Sequence, residues 1–199
     1  MSMKIAIANP EFDATYIRHA RIETLKSVDV EPRPALINPL PIATYLFAYN
    51  DQGQSIGMGE TAMLSDVYDS YADTPYASVG DLDAICPLNQ MASMRTVFVE
   101  PKYRRSNLIF PALTFGTAKL MYEKGARFAT ATTSGTDQYL NRLYEKCGGK
   151  KVGVFRVDEN VEWSSLFVFD LEQALAHRAM QRLSRYVTFD YNDSLASVG

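Results

Sequence analysis

The stretch Val97-Phe98-Val99-Glu100-Pro101-Lys102-Tyr103-Arg104-Arg105-Ser106-Asn107-Leu108-Ile109 concentrates the residue types best suited to chemistry in this chain. It opens on strand-forming residues, passes through a polar turn containing Pro101, and enters a long amphipathic pattern. A strand that turns directly into a helix leaves unpaired N–H groups in the first helical turn. The helix dipole makes that end favourable for a phosphate or pyrophosphate. Arg104 and Arg105 add fork-shaped cationic donors, and Ser106, Asn107, Leu108 and Ile109 supply the turn into the helix. An ordinary strand-to-helix connection with exposed arginines would have the same composition.

The elements that must hold this turn can be read from periodicity. Phe12 to Val28 places Phe12, Tyr16, Ile17, Ala20 and Leu25 near one helical face, and Glu31-Pro32-Arg33-Pro34 ends the pattern. Ala43 to Tyr49 and Ser55 to Leu64 read as a hairpin across Asn50-Asp51-Gln52-Gly53, with Gly57 and Gly59 permitting a bulge or a close backbone approach. Residues 65–92 show no sustained period and read as an insertion within one domain covering 1–199. Arg95 to Val99 is a strand, Leu108 to Lys124 a helix stopped by Gly125, Ala126 to Thr133 a strand, and Asp137 to Lys146 a helix ended by Gly148-Gly149. Lys151 to Val157 and Trp163 to Leu171 form a final strand pair, and Glu172 to Val187 an amphipathic C-terminal helix that docks on the sheet or on a second subunit. This order predicts a mixed α/β fold with a central, only partly parallel sheet and helices on both faces.

Composition narrows the function. The chain has 199 residues, 47% of them hydrophobic, and a formal net charge of -3, so it lacks the global basic field that nucleic-acid binding uses. Cys86 and Cys147 have no zinc-ligand spacing, so no metal is expected. No run approaches the ~20 apolar residues of a membrane span, and the first ten residues lack a signal-peptide pattern; the expected location is cytoplasmic. His19 and His177 lie in helical patterns away from any nucleophile motif and read as surface or capping residues.

Two further motifs bring in a family. Val99-x-Pro101-x-Tyr103-Arg104 resembles the V-x-P-x-Y-R at the end of the fourth strand in the GNAT acyltransferase superfamily, and Leu143-Tyr144-Glu145-Lys146-Cys147-Gly148-Gly149 resembles its L-Y-x-K-x-G-F. The resemblance covers roughly residues 43–171. Both glycines of the family's phosphate loop are replaced, by Asn107 and Ile109, and the side chain of Ile109 is expected to narrow the approach to the phosphates. Ser93-Met94-Arg95 is similar to a pair in the N-acyl amino acid synthases and the acyl-homoserine-lactone synthases, which take acyl chains from acyl carrier protein. The resemblance implies a GNAT fold and transfer of an acyl group, from a pantetheine thioester on acyl carrier protein or coenzyme A, to the amine of an amino acid or similar molecule. Alternatives are an acetyl-CoA-dependent N-acetyltransferase and a binding module of GNAT shape without catalysis. Monomer and homodimer are both compatible with it.

Acyl transfer assigns tasks to particular residues. A backbone N–H near Phe98 or Val99, freed by a splay at the strand's end, would bond the thioester carbonyl, a contribution worth ~3 kcal/mol. The resemblance implies that Tyr144 protonates the leaving sulfur; packing with Leu140 and Leu143 is the alternative. Glu60, among Met58, Met63 and Phe47, is the first candidate for the base, and Glu100 the second. Either can instead be an ordinary strand carboxylate, with a water chain serving as base. Arg95 is a candidate anchor for an acceptor carboxylate, or a partner of Asp81 or Asp83. Tyr68, Tyr71, Tyr76 and Leu88, with the apolar tail residues, could wall an acyl-chain tunnel or equally form minor core.

Overall fold

In the computed structural model, residues 3–27, 30–67, 77–78, 82, 84–134, 137–155, 164–183 and 187–191 are described. The strands are β1 (Met3–Ile7), β2 (Thr44–Tyr49), β3 (Ser55–Met63), β4 (Ala77–Ser78), β5 (Met91–Val99), β6 (Phe128–Ser134), β7 (Lys150–Phe155), β8 (Ser164–Asp170) and β9 (Val187–Asp190). The helices are α1 (Pro10–Lys26), α2 (Pro34–Ile37), α3 (Leu64–Val67), α4 (Ile109–Glu123), α5 (Gln138–Lys146), α6 (Leu171–Ala176) and α7 (Arg178–Leu183). Among the described residues the strands form one sheet in the order β4-β7-β8-β6-β5-β3-β2-β1-β9, with β5/β6 and β1/β9 parallel and the other pairs antiparallel.

Two packed faces follow from strand alternation. Ile17 and Ala20 of α1 share a core with Tyr45, Phe47, Met58, Phe98, Leu166 and Val168. On the other face Ile109, Ala112 and Leu113 of α4 pack on Ile5, Leu46, Ile56 and Val99, and Tyr144 of α5 packs on Ala131, Phe167 and Phe169. The fit of α4 on the sheet depends on β3 having glycines: a Cβ at Gly57 would lie 2.8 Å from the Phe98 carbonyl oxygen and 2.9 Å from Leu113 Cδ1, and one at Gly59 would lie 2.9 Å from Thr117 Cγ2. Close backbone approach, rather than a bulge, is what these two residues provide.

Two elements differ from the sequence reading. β1 was not expected, because five residues, MKIAI, are too few to separate a strand from a helix fragment by period alone; pairing with β2 and β9 decides the matter. The tail is not one helix. Asp170 caps α6 by accepting from the Gln173 amide at 3.0 Å, His177 leaves the helical region at ψ 134°, and α7 follows. Val187-Thr188-Phe189 then adds a parallel edge strand to β1, as β-branched and aromatic residues favour. Within the segment expected to be an insertion, α3, β4 and a 3-10 turn at Leu88–Gln90 are described, and Met91 and Ala92 already belong to β5.

Candidate active site

The parallel pairing of β5 with β6 runs from Met91↔Phe128 to Met94↔Ala131 and stops there, although β5 continues to Val99 and β6 to Ser134. The two strands therefore splay beyond Met94. A bulge lies at the same place: Glu60 faces Thr96 and Thr61 faces Met94, so Arg95 is the extra residue, and such a residue kinks and twists its strand. The Glu100 amide donates to the Ile56 carbonyl on β3 at 3.0 Å. Alternation along the strand then turns the Phe98 and Thr96 amides toward β3 and those of Val97 and Val99 into the gap. Of the amides near Phe98 and Val99, those facing the gap are therefore Val97 and Val99; the Phe98 amide faces β3 and its side chain is 3% exposed beneath α1.

Past Val99 the chain makes a 3-10 turn, Pro101–Tyr103, and enters α4. Leu108, at the N-cap, makes no side-chain cap bond, and the turn Asn107–Leu108 leads straight into the first helical residues. The neighbouring α5 is closed by comparison, since the Asp137 carboxylate accepts from the Leu140 amide at 2.9 Å. Of these two helix starts, α4 has the one without a side-chain cap beside the gap. Ser106 Oγ accepts from the Leu108 amide at 3.4 Å, and Arg105 is exposed. Ile109 does not narrow the approach as its size suggested: its side chain turns into the core, with Cγ2 lying 3.3 Å from where a Gly57 Cβ would stand. Arg104 folds back instead of reaching toward the helix end. Its Nε donates to the Val99 carbonyl at 3.0 Å, and its guanidinium lies 6.0 Å over the Phe98 ring, which leaves it at the mouth of the gap.

Below the gap lies an apolar cavity of about 240 Å³. Met94 and Ala131, the last paired residues before the splay, form its floor; Phe110 and Thr114 of α4 and Leu143, Tyr144 and Cys147 of α5 form its sides; Ala174, Met180 and Leu183 of the tail close it. Of the segments expected to wall a tunnel, the tail contributes Ala174, Met180 and Leu183 to this cavity, Leu88 packs with the α1-side core, and Tyr68, Tyr71 and Tyr76 lie outside the described residues. Tyr144 meets Phe167 and Phe169 edge-on at 5.6 and 5.2 Å, so the packing role and the cavity-lining role coincide. Burial first, and the neighbouring Cys147 and Asp137 next, push its phenol up to about 12. A phenol so placed keeps its proton and can hydrogen-bond a departing thiolate.

The two carboxylates proposed as bases lie on the α1 face in different surroundings. Glu60 has no exposed side-chain surface; Arg21 donates to both of its oxygens through Nε, at 3.1 Å, and Nη2, and Arg95 Nε donates to Oε1 at 3.2 Å. Arg21 also donates to the carbonyls of Leu36 and Asn38, at 3.2 and 2.6 Å, tying α1 and the α2 turn to β3. Glu60 thus spends its acceptors on two guanidiniums, which suits it to anchoring α1 and the α2 turn on the sheet. Arg95 is correspondingly held by Glu60; Asp81 and Asp83 lie outside the described residues. Glu100 is the more accessible carboxylate, 19% exposed, with His19 Nε2 at 3.3 Å. His19 was read as a surface or capping residue. Nothing in its local sequence connects it to Glu100, since the contact depends on how α1 crosses β5.

No family model and no curated protein matches this sequence. Solved structures do match in fold. The coenzyme-A-dependent acyl-homoserine lactone synthase BjaI, determined with SAM and isopentyl-CoA, superposes with a TM-score of 0.66 over 96% of this chain and 94% of its own, at 15% identity. A protein from Desulfovibrio desulfuricans described as an acetyltransferase of the GNAT family gives 0.55 over 85% and 99%, at 15% identity. A ribosomal-protein alanine N-acetyltransferase from Escherichia coli gives 0.56 over 85% and 94%, at 13% identity. With its splayed parallel strands, its open α4 end and these structural neighbours, the chain has the fold of the GNAT acyltransferases, a fold it shares with an acyl-homoserine lactone synthase.

Proposed function

We propose that the chain is an N-acyltransferase that moves a fatty acyl group from a pantetheine thioester to the amine of an amino acid or similar small molecule. The observation that carries this reading is the gap beyond Met94, where two strand amides face a space flanked by the start of α4, whose Asn107 and Phe110 also line the apolar cavity. The helix amides of Asn107, Ile109 and Phe110 bind the phosphate of the pantetheine arm, with Arg105 at the rim. The arm lies in the gap, the acyl chain enters the cavity, and the Val97 and Val99 amides bond the carbonyl oxygen as it gains charge. Tyr144 donates to the leaving sulfur.

The amine approaches from the α1 face and gives its proton to Glu100. Its lone pair forms the C–N bond, the C–S bond breaks, and an amide and a free thiol result. Acyl carrier protein and coenzyme A present the same arm, and the exposed cations Lys102, Arg105 and Arg142 suit the acidic surface of a carrier protein. The test is thiol release with acyl-CoA and acyl carrier protein thioesters of graded chain length against a panel of amino acids, with mass spectrometry of the amide. The reading predicts faster turnover with chains longer than acetyl, which fill the cavity. Preference for acetyl-CoA would identify an acetyltransferase, and absence of thiol release with every donor would identify a binding module.

A further inference from the structure

At the α1 side of the gap two titratable groups stand together. His19 Nε2 lies 3.3 Å from Glu100 Oε1; Glu100 keeps 19% of its side chain exposed and His19 47%. Glu100 follows directly on Val99, whose amide faces the gap, so the pair leads from the end of the gap to bulk water. The imidazole is held in place by rings: it stands edge-on to Phe98 at 5.6 Å and tilted to Tyr16 at 6.0 Å. The Tyr16 hydroxyl is buried beside the same Glu100 carboxylate, which acts on it directly. Burial, and then the Glu100 charge, move its ionisation far above the ordinary phenol range, so Tyr16 stays neutral and does not compete for a proton. The remaining charges around the pair are Glu23 on α1, Arg104 over Phe98, and Asp13 acting near Tyr49 at the end of β2.

Resting on the acyl-transfer reading, we infer that His19 is a positioning and proton-carrying partner of Glu100. The N–H bond of the attacking amine breaks and its proton joins the Glu100 carboxylate; that proton passes to Nε2 of His19, and the proton on Nδ1 leaves to water. The departing thiolate, hydrogen-bonded by Tyr144, takes one proton from water, so charge balances over the turnover. An imidazole, with one ring nitrogen toward the carboxyl and the other free to face water, is built for this transfer.

His19→Gln and His19→Ala test the inference alongside the unaltered enzyme. Each variant should lose roughly a hundredfold in kcat with donor KM unchanged, the low end of what proton-transfer groups supply. The pH profile should lose the limb belonging to the imidazole, and added free imidazole should restore His19→Ala in proportion to its unprotonated concentration. Proton NMR reads the pair without activity: Glu100→Gln should displace the ring-proton resonances of His19, whose Nε2 sits 3.3 Å from the replaced carboxylate. Unaltered kcat and pH profile in both variants, or loss without imidazole rescue and without a response of the ring to Glu100→Gln, overturns the relay. If the unaltered protein releases no thiol with any donor, the acyl-transfer reading fails and the relay falls with it.

Discussion

Replacing Glu60 with Gln distinguishes an anchor from a base. The carboxylate sits at 0% exposure and accepts from two arginines, one of which, Arg21, is itself 6% exposed. Glutamine keeps the shape but offers one acceptor oxygen and two N–H groups where Arg21 needs two acceptors, so a buried cation is left without its counter-charge. Breaking a buried pair by removing one partner costs about 3–5 kcal/mol. Set against a total stability of about 5–15 kcal/mol, that is a large share of the fold's reserve. At roughly 2–4 °C per kcal/mol for a chain of this size, the midpoint should fall by about 6–20 °C. Because Arg21 also holds the Leu36 and Asn38 carbonyls, the α1–α2 connection should loosen first, visible as faster amide exchange near residues 36–40. Calorimetry gives the midpoint, and thiol release well below it gives the activity of the folded fraction. A base predicts the opposite pattern, namely a normal midpoint with kcat reduced by 10²–10⁴. A stable Glu60→Gln protein that has lost turnover would refute the anchor argument.

Other substitutions probe the gap and the cavity. Tyr144→Phe should lower kcat with little change in donor KM, since it removes a donor to the leaving sulfur but preserves the ring packed on Phe167 and Phe169; unchanged turnover takes Tyr144 out of the chemistry. Gly57→Ala should destabilise by about 1–3 kcal/mol and raise donor KM more than it lowers kcat. Its Cβ would meet the Phe98 carbonyl at 2.8 Å and Leu113 at 2.9 Å, which forces α4 and its open amides away from β5, so an unaffected donor KM would dissociate α4 from donor binding. At high pH the buried phenol sets a limit on stability. Tyr144 is raised from 10.0 to about 12, so its contribution is fully present below pH 10 and is lost as pH rises through about 12. Base-induced unfolding followed by circular dichroism should therefore steepen across that window, and Tyr144→Phe should flatten it. A Tyr144→Phe curve that superposes on the unaltered one would contradict the burial of this phenol.

The sequence by itself determined the parts whose signal is local. The period of Leu108 to Lys124 gave a helix observed at Ile109–Glu123, the Asp137 and Gly148-Gly149 stops framed Gln138–Lys146, and the turn at Asn50 to Gly53 joined a real hairpin. The strand–turn–helix at Val97 to Ile109 was equally legible, because amide groups at a helix start are exposed by backbone geometry whatever surrounds them. Tertiary structure alone decided which way side chains and amides face. One extra residue at Arg95 changes the alternation of β5, and the register with β3 then assigns the gap to Val97 and Val99 rather than Phe98. Ile109 was read as an obstruction because only packing against the bare backbone of Gly57 turns it inward. The fate of the acidic residues was likewise beyond the reach of sequence. Glu60 and Arg21 are 39 positions apart and His19 and Glu100 are farther still, so whether a carboxylate meets a guanidinium or an imidazole depends on the crossing of α1 over the sheet, to which no local pattern responds.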